Sequence, residues 1–295
     1  MSFAVIDLSQ LPPPNVVESL DYEQILAEIL AEFQQRYPAF SAPLESDPAY
    51  KLLEVSAYRE MLVRARVNDS VRAVMLPYAT GTDLDNLGAY WNVQRLVMIP
   101  ADDSTIPPTP AVMELDDNYR RRIQLSMEGQ TNAGTEGAYI FQTLSADGRV
   151  KDAKPKRRAD ASILNTVLSS EGDGTPSAEL LKAVKAHLMQ SDVRQMTDDL
   201  IIQGATITTY RVRADIYVQT GPGSEQVMAA ARQAVQTVVS ERHRLGMIVP
   251  VSAVYGALQQ PGVSRVVLHE PSADLTPTDE QAAYCSAIEL TQVAG

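Results

Sequence analysis

From Asp21 onward the chain reads as helix. Tyr22, Ile25, Leu26, Ile29, Leu30 and Phe33 follow at alternating spacings of three and one, a single apolar stripe at helical period. Glu23, Gln24, Glu28 and Glu32 take the other side, and Asp21 with Gln24 three residues on has the form of a capping box. Pro38 and Pro43 stop this helix. Before it, residues 1–20 read as an extended arm, with Pro12-Pro13-Pro14 favouring polyproline II. A second helix opens at Asp47-Pro48, a cap followed by proline at the first helical position, and runs to Met75 or Leu76 before Pro77. At 1.5 Å per residue it spans roughly 40–45 Å. Leu52, Val55, Tyr58, Met61, Leu62 and Ala65 form its stripe, which Asn68, Asp69 and Arg72 interrupt. A short third helix follows Thr82-Asp83-Leu84-Asp85 and ends near Gly88 or Trp91.

Four prolines between 99 and 111 mark a linker, and the pattern changes beyond it. Helices are predicted over 116–128 and 134–146, and short strands near 148–154 and 160–168. A glycine-rich turn at 171–177 leads to a helix carrying Leu180, Leu181, Val184 and Leu188, with Thr175 as cap and Pro176 at its first position. Over 206–218 the even positions from Tyr210 to Val218 are mostly apolar while Arg211, Arg213 and Asp215 stand between them, the period of a strand with one buried face. Gly221-Pro222-Gly223-Ser224 turns into a helix striped by Val227, Ala230, Ala231, Ala234, Val235 and Val238, which Gly246 can end. A strand at 247–250, a helix near 252–259 and a strand at 263–269 follow.

The expected fold class is therefore α+β: a long-helix N-terminal region and then two small α+β domains, the last in a ferredoxin-like order. The expected segments are 1–98 as arm and helical assembly region, 99–111 as Pro-rich linker, 112–204 as middle domain and 205–295 as C-terminal domain. Three helices with one very long member rarely close their own core. The stripes Tyr22, Ile25, Leu26, Ile29, Leu30 and Phe33, and Leu52, Val55, Tyr58 and Leu62, are accordingly expected to face other subunits.

Composition narrows the function. In 295 residues no apolar run is long enough to span a bilayer, and the N-terminus lacks the basic and apolar regions of a signal peptide, so synthesis in a cytosol is expected. The net charge of −12 argues against nucleic-acid partners and against an anionic membrane surface. Arg149, Lys151, Lys154, Lys156, Arg157 and Arg158, with Asp152 among them, make a local +5 that leaves −17 for the rest of the chain. Such a patch can dock an acidic partner surface. It also reads as a strand edge kept soluble by lysines and Pro155.

No chemistry stands out. Cys285 is the one cysteine, which excludes an intrachain disulfide and any multi-cysteine metal site. His187, His243 and His269 are isolated, and no HExxH, GxSxG, P-loop or GxGxxG sequence occurs. The turn Glu171-Gly172-Asp173-Gly174-Thr175 imitates a phosphate loop, but its two acids would repel phosphate. The pairs Asp83/Asp85, Asp116/Asp117 and Asp198/Asp199 read as caps and surface charge. No cofactor, no metal and no catalytic residue is expected.

Taken in order, the motifs resemble a known family. Asp47-Pro48, Leu53-Glu54-Val55, Tyr58-Arg59-Glu60 and Arg66-Val67-Asn68, then Gly81-Thr82-Asp83-Leu84-Asp85-Asn86-Leu87-Gly88 with Val93-Gln94-Arg95, are similar to the baseplate assembly protein J family of contractile-tailed phages and tail-like bacteriocins. Asp116-Asp117-Asn118-Tyr119-Arg120-Arg121-Arg122-Ile123, Gly134-Thr135-Glu136-Gly137-Ala138-Tyr139, Gly174-Thr175-Pro176-Ser177 and Pro261-Gly262-Val263 extend the likeness almost to the end. The resemblance implies a structural subunit of a baseplate wedge. In it two copies join one copy of a different wedge subunit through a bundle of N-terminal helices, and neighbouring wedges form a ring beside the sheath-proximal and hub proteins. It implies no enzyme, no nucleic-acid or membrane partner, and synthesis in the bacterial cytoplasm before incorporation into the particle. The competing reading is a soluble enzyme or ligand-binding α+β protein with a dispersed carboxylate site.

Overall fold

The structure, a computed structural model, describes residues 6–294 apart from 7, 9–10, 13, 41–43, 132–133, 192, 195–197, 219–220 and 222, and not the side chain of residue 294. Pro13, Pro43, Gln219 and Pro222 of the predicted arm, helix stop, strand and turn lie outside the described residues. The chain divides into two compact units, residues 4–94 and residues 95–295.

The first unit is helical: α1 (Tyr22–Arg36), α2 (Pro48–Ala73) and α3 (Gly81–Tyr90). Asp21 caps α1 by accepting from the Glu23 and Gln24 amides. Pro48 sits in the first turn of α2, whose 26 residues reach about 39 Å. Asn68, read as an interruption of the α2 stripe, is buried and holds the arm. Its amide donates to the Glu18 carbonyl at 2.9 Å and its Oδ1 accepts from the Glu18 amide at 3.1 Å. Tyr78 donates to the Leu11 carbonyl.

In the second unit β1 (Val97–Ile99) and β2 (Val112–Met113) pair antiparallel. The Pro-rich stretch expected as a linker is the loop between them, closed further by paired backbone hydrogen bonds between Asp102 and Thr109. Next come α4 (Asp116–Gly129) and α5 (Glu136–Ala146), then β3 (Val150–Arg157), β4 (Ile163–Ser169), α6 (Ala178–Leu188) and β5 (Leu200–Gly204). The sheet order is β3-β4-β5, antiparallel then parallel. The α6 cap is Ser177, accepting from the Leu180 amide, two residues beyond the Thr175 expected. β5 was not legible as a strand.

The last part comprises β6 (Thr206–Val218), α7 (Ser224–Arg242), α8 (Val251–Leu258), β7 (Val263–Glu270) and β8 (Gln281–Ala294). The order is β7-β6-β8, with β6 antiparallel to β7 and parallel to β8 over its whole length. Three strands with a parallel pair replace the expected ferredoxin-like sheet, because β8, unforeseen, takes the place beside β6. The predicted strand at 247–250 is a single bridge, Val249 to Leu275. As predicted, even positions of β6 from Tyr210 to Val218 are buried, packed with Ala231, Val235 and Val239 of α7 and Val254 and Leu258 of α8. The opposite face, with Arg211 and Arg213, is exposed.

β5 and β6 are separated by Ala205 alone. The Ala205 amide donates to the Val167 carbonyl of β4, and the Thr206 amide to the Glu280 carbonyl ahead of β8. Ala205, Leu168, Leu245 and Ala282 form a small core where the two sheets meet.

Candidate assembly interface

The two predicted stripes of the helical unit have different fates. On α1, Ile25 and Leu26 are buried against Ala57 of α2, with Tyr22, Ile29, Leu30, Tyr50, Leu53 and Met61 packed around them. Phe33 meets Phe40 edge-on at 5.2 Å between ring centroids and Tyr37 at 6.2 Å. This corrects the expectation that the α1 stripe lacks a cover within the chain. Leu53, Ala57 and Met61 recur every four residues on one side of α2, and the small Ala57 lets α1 approach closely.

The other side of α2 carries the second stripe. Leu52 is 71% exposed, and Val55, Tyr58 and Leu62 are exposed with it. Val63 and Val67, which the stripe reading omitted, extend this face along the helix and are exposed too. Arg59 and Arg66, also exposed, stand within it. A solvated helix face is ordinarily polar, whereas this one exposes five aliphatic side chains and a tyrosine over four turns. Leu52, Val55, Tyr58 and Leu62 thus lie outward as the sequence placed them, while Met61 of the same stripe packs toward α1. At the end of α3, Tyr90 and Trp91 form a second exposed apolar feature, edge-on at 5.4 Å.

The basic segment is largely spent within its own unit. β3 is an edge strand that includes Pro155. Arg149 donates to both carboxylate oxygens of Asp147, at 3.0 and 2.8 Å. Lys154 pairs with Glu136 at 3.1 Å, and Lys156 lies 3.9 Å from Glu280. Lys151 is half-buried, its Nζ 3.0 Å from His243 Nδ1; burial lowers its pKa, helped by Arg244. Burial, and then Lys151, push the pKa of His243 down to about 4. Neighbouring Asp152 is buried and accepts from Arg121 at 2.7 Å and from the Leu245 amide at 3.0 Å. Arg157 and Arg158, both exposed, remain as the outward-facing basic end.

The remaining candidate chemistry is structural in its contacts. His187 meets Gln142 and His269 meets Asp215. Asp116 pairs with Arg95 and Asp117 with Arg120. Cys285 is half-buried, its thiol directed at the Ala287 carbonyl, and burial raises its pKa. Among the described residues no three His, Cys, Asp or Glu side chains gather as a metal site, and no helix is long and apolar enough to cross a membrane.

Residues 45–102, which include all of α2 and α3, match the Baseplate J-like N-terminal domain. Residues 210–291, most of the β7-β6-β8 sheet and its helices, match the Baseplate J-like protein C-terminal domain. The chain is also 47% identical over 289 residues, 96% of each sequence, to Baseplate protein J of Escherichia phage P2.

Proposed function

The chain belongs to the baseplate J-like family, and on that premise we propose that it is a wedge subunit of a contractile-tail baseplate, two copies joining one copy of a different wedge protein. The coarser role is that of its family: a structural component of a phage tail baseplate that works among other baseplate proteins and is not an enzyme. The observation that carries the finer reading is the outward face of α2, where Leu52, Val55, Tyr58, Leu62, Val63 and Val67 have no cover from α1. Helices of a second copy and of the other wedge subunit complete a bundle on that face. The arm and helices within residues 1–98 serve as the assembly region. The α+β parts, 112–204 and 205–295, carry contacts to neighbouring wedges and to sheath-proximal and hub proteins, and the basic end at Arg157 and Arg158 meets an acidic neighbour. The protein is made in the bacterial cytoplasm and enters the particle there.

Co-expression with the candidate wedge partner tests this. Leu52→Asp with Val63→Asp is expected to abolish the complex while the second unit keeps its strand signal and cooperative melting. Ile25→Asp with Leu26→Asp is expected to unfold the α1–α2 pair itself, since those residues lie in the chain's own core. A complex that forms unchanged with the α2 pair substituted would overturn the bundle reading.

A further inference from the structure

Between Leu96 and Leu115 the chain holds no basic residue. Its charges there are Asp102, Asp103 and the buried Glu114, which Arg122 neutralises. Apolar side chains occupy the outside of this hairpin instead. Val97 stands opposite Met113 and Ile99 opposite Val112 in the β1–β2 pairing, and all four are exposed, as is Leu115 beyond them. Every residue from Ala101 to Pro110 is exposed, and Ile106 is wholly so. Among the described residues no third strand joins β1 and β2.

The hairpin is nevertheless braced. On its inner side Met98 lies against Gly148, where a Cβ would stand 3.0 Å from Met98 Cγ, and the Glu114 amide donates to the Leu96 carbonyl at 2.8 Å. In the loop, Thr105 Oγ1 lies 3.1 Å from the Asp102 carbonyl, 3.0 Å from the Pro107 carbonyl and 2.9 Å from the Thr109 hydroxyl. Asp102 Oδ1 accepts from both the amide and the hydroxyl of Ser104. Single apolar residues scattered over a surface are ordinary, but here six stand on one braced projection with charge of one sign. A segment already held in shape gives up little conformational freedom on binding, so its contacts go further toward affinity.

We propose that this hairpin is a docking projection for a different baseplate protein, with Ile106 entering an apolar recess rimmed by lysine or arginine side chains that face Asp102 and Asp103. The charge pattern selects this occupant over a second copy. Two hairpins tip to tip would gather four aspartates with no cation among them, an arrangement that like charges oppose. The chain's own outward basic end, Arg157 and Arg158, offers no apolar seat: among the described residues from Glu128 to Leu188 no large apolar side chain is exposed. The α2 face does combine aliphatic side chains with Arg59 and Arg66, and the inference rests on the bundle reading to the extent that it leaves that face to helices.

Competition within assembled tails is the test. The parent chain and a full-length variant are expressed together with the remaining tail genes, and their ratio in purified particles is read by mass spectrometry. Ile106→Asp should fall behind the parent on the order of tenfold or more, the discrimination that burying one such side chain supports. Its isolated chain should melt as the parent does, because Ile106 is wholly exposed. Ile106→Leu should stay near parity, and Asp103→Lys should fall behind severalfold. A photo-crosslinking phenylalanine in place of Ile106 should join the chain to a different tail protein, beside apolar and basic residues of that protein. Parity for Ile106→Asp, or a cross-link to an acidic surface, would overturn the proposal and leave the bundle reading standing. A cross-link to α2 of any copy would overturn both.

Discussion

Arg122 and Glu114 face each other through two hydrogen bonds of 2.9 Å, Nε to Oε1 and Nη2 to Oε2, with both side chains almost wholly buried. The pair fastens the middle of α4 to the β1–β2 hairpin, because Glu114 Oε2 also accepts from the Leu96 amide. Arg95 donates to the Glu114 carbonyl and lies 4.6 Å over the Tyr119 ring. Removing one member leaves a buried charge without its partner, so Glu114→Ala is expected to destabilise the second unit by ~3–5 kcal/mol. Glu114→Leu with Arg122→Met should recover most of the loss. Urea unfolding of the three proteins checks this.

Gly172 and Gly174 both have positive φ, +58° and +98°, but differ in their surroundings. A Cβ on Gly172 meets nothing within 4 Å, whereas one on Gly174 would lie 2.7 Å from Leu168 Cδ1 and 2.8 Å from His243 Nε2. Gly172→Ala should therefore lose only the left-handed backbone preference, about 1 kcal/mol. Gly174→Ala should lose that and overpacking besides, several kcal/mol in all. Thermal melts of the two variants rank them directly.

His243 makes the second unit sensitive to acid. Its folded pKa of about 4 lies below the ordinary 6.5, so the folded protein binds fewer protons than the unfolded chain between those values. Stability is then full above pH 6.5 and falls as pH drops toward 4, by at most about 1.4 kcal/mol per pH unit for one proton. The groups around the ring are Lys151, Asp152, Asp173 and Tyr284. His243→Gln should flatten the melting temperature across this window relative to the parent. An unchanged slope would mean that other groups carry it.

Asn68→Ala should release the arm. It removes both hydrogen bonds to Glu18 and leaves that residue's amide and carbonyl without their partner, a cost of about 1–3 kcal/mol. Amide exchange at Glu18 should quicken by one to two orders of magnitude, ~10–100-fold, if the arm opens locally, while exchange in the β7-β6-β8 sheet stays as it was.

Much of the fold was legible because local signals agreed with packing. Asp21, the Asp47-Pro48 start and the alternation along β6 each act within a few residues, and each element formed where they placed it. β8 was illegible for a definite reason. A bulge at Ser286 shifts its register against β6 between Cys285 and Ala287. Ala283 and Cys285 face the core before the bulge, and Ile288 and Leu290 after it, so the apolar phase passes from odd to even positions and no single alternation survives. β5 failed differently, as a brief apolar run that carries no period. At the interface the sequence identified the exposed α2 residues but assigned the α1 stripe to another subunit. Whether Ile25 and Leu26 meet a neighbour or their own α2 depends on how the chain turns between the helices, and side-chain spacing holds no record of that.

The single residue between β5 and β6 governs how this unit can respond to load. A hinge needs a few residues free to change φ and ψ. Here Ala205 is hydrogen-bonded to β4 on one side while Thr206 is bonded toward β8 on the other, so no such residue is free. Tension applied along β8 passes across thirteen paired positions into β6, and from there down one continuous backbone into the other sheet. The joint is a splice: the two sheets twist or translate together, and a machine built on this unit must place its moving parts elsewhere.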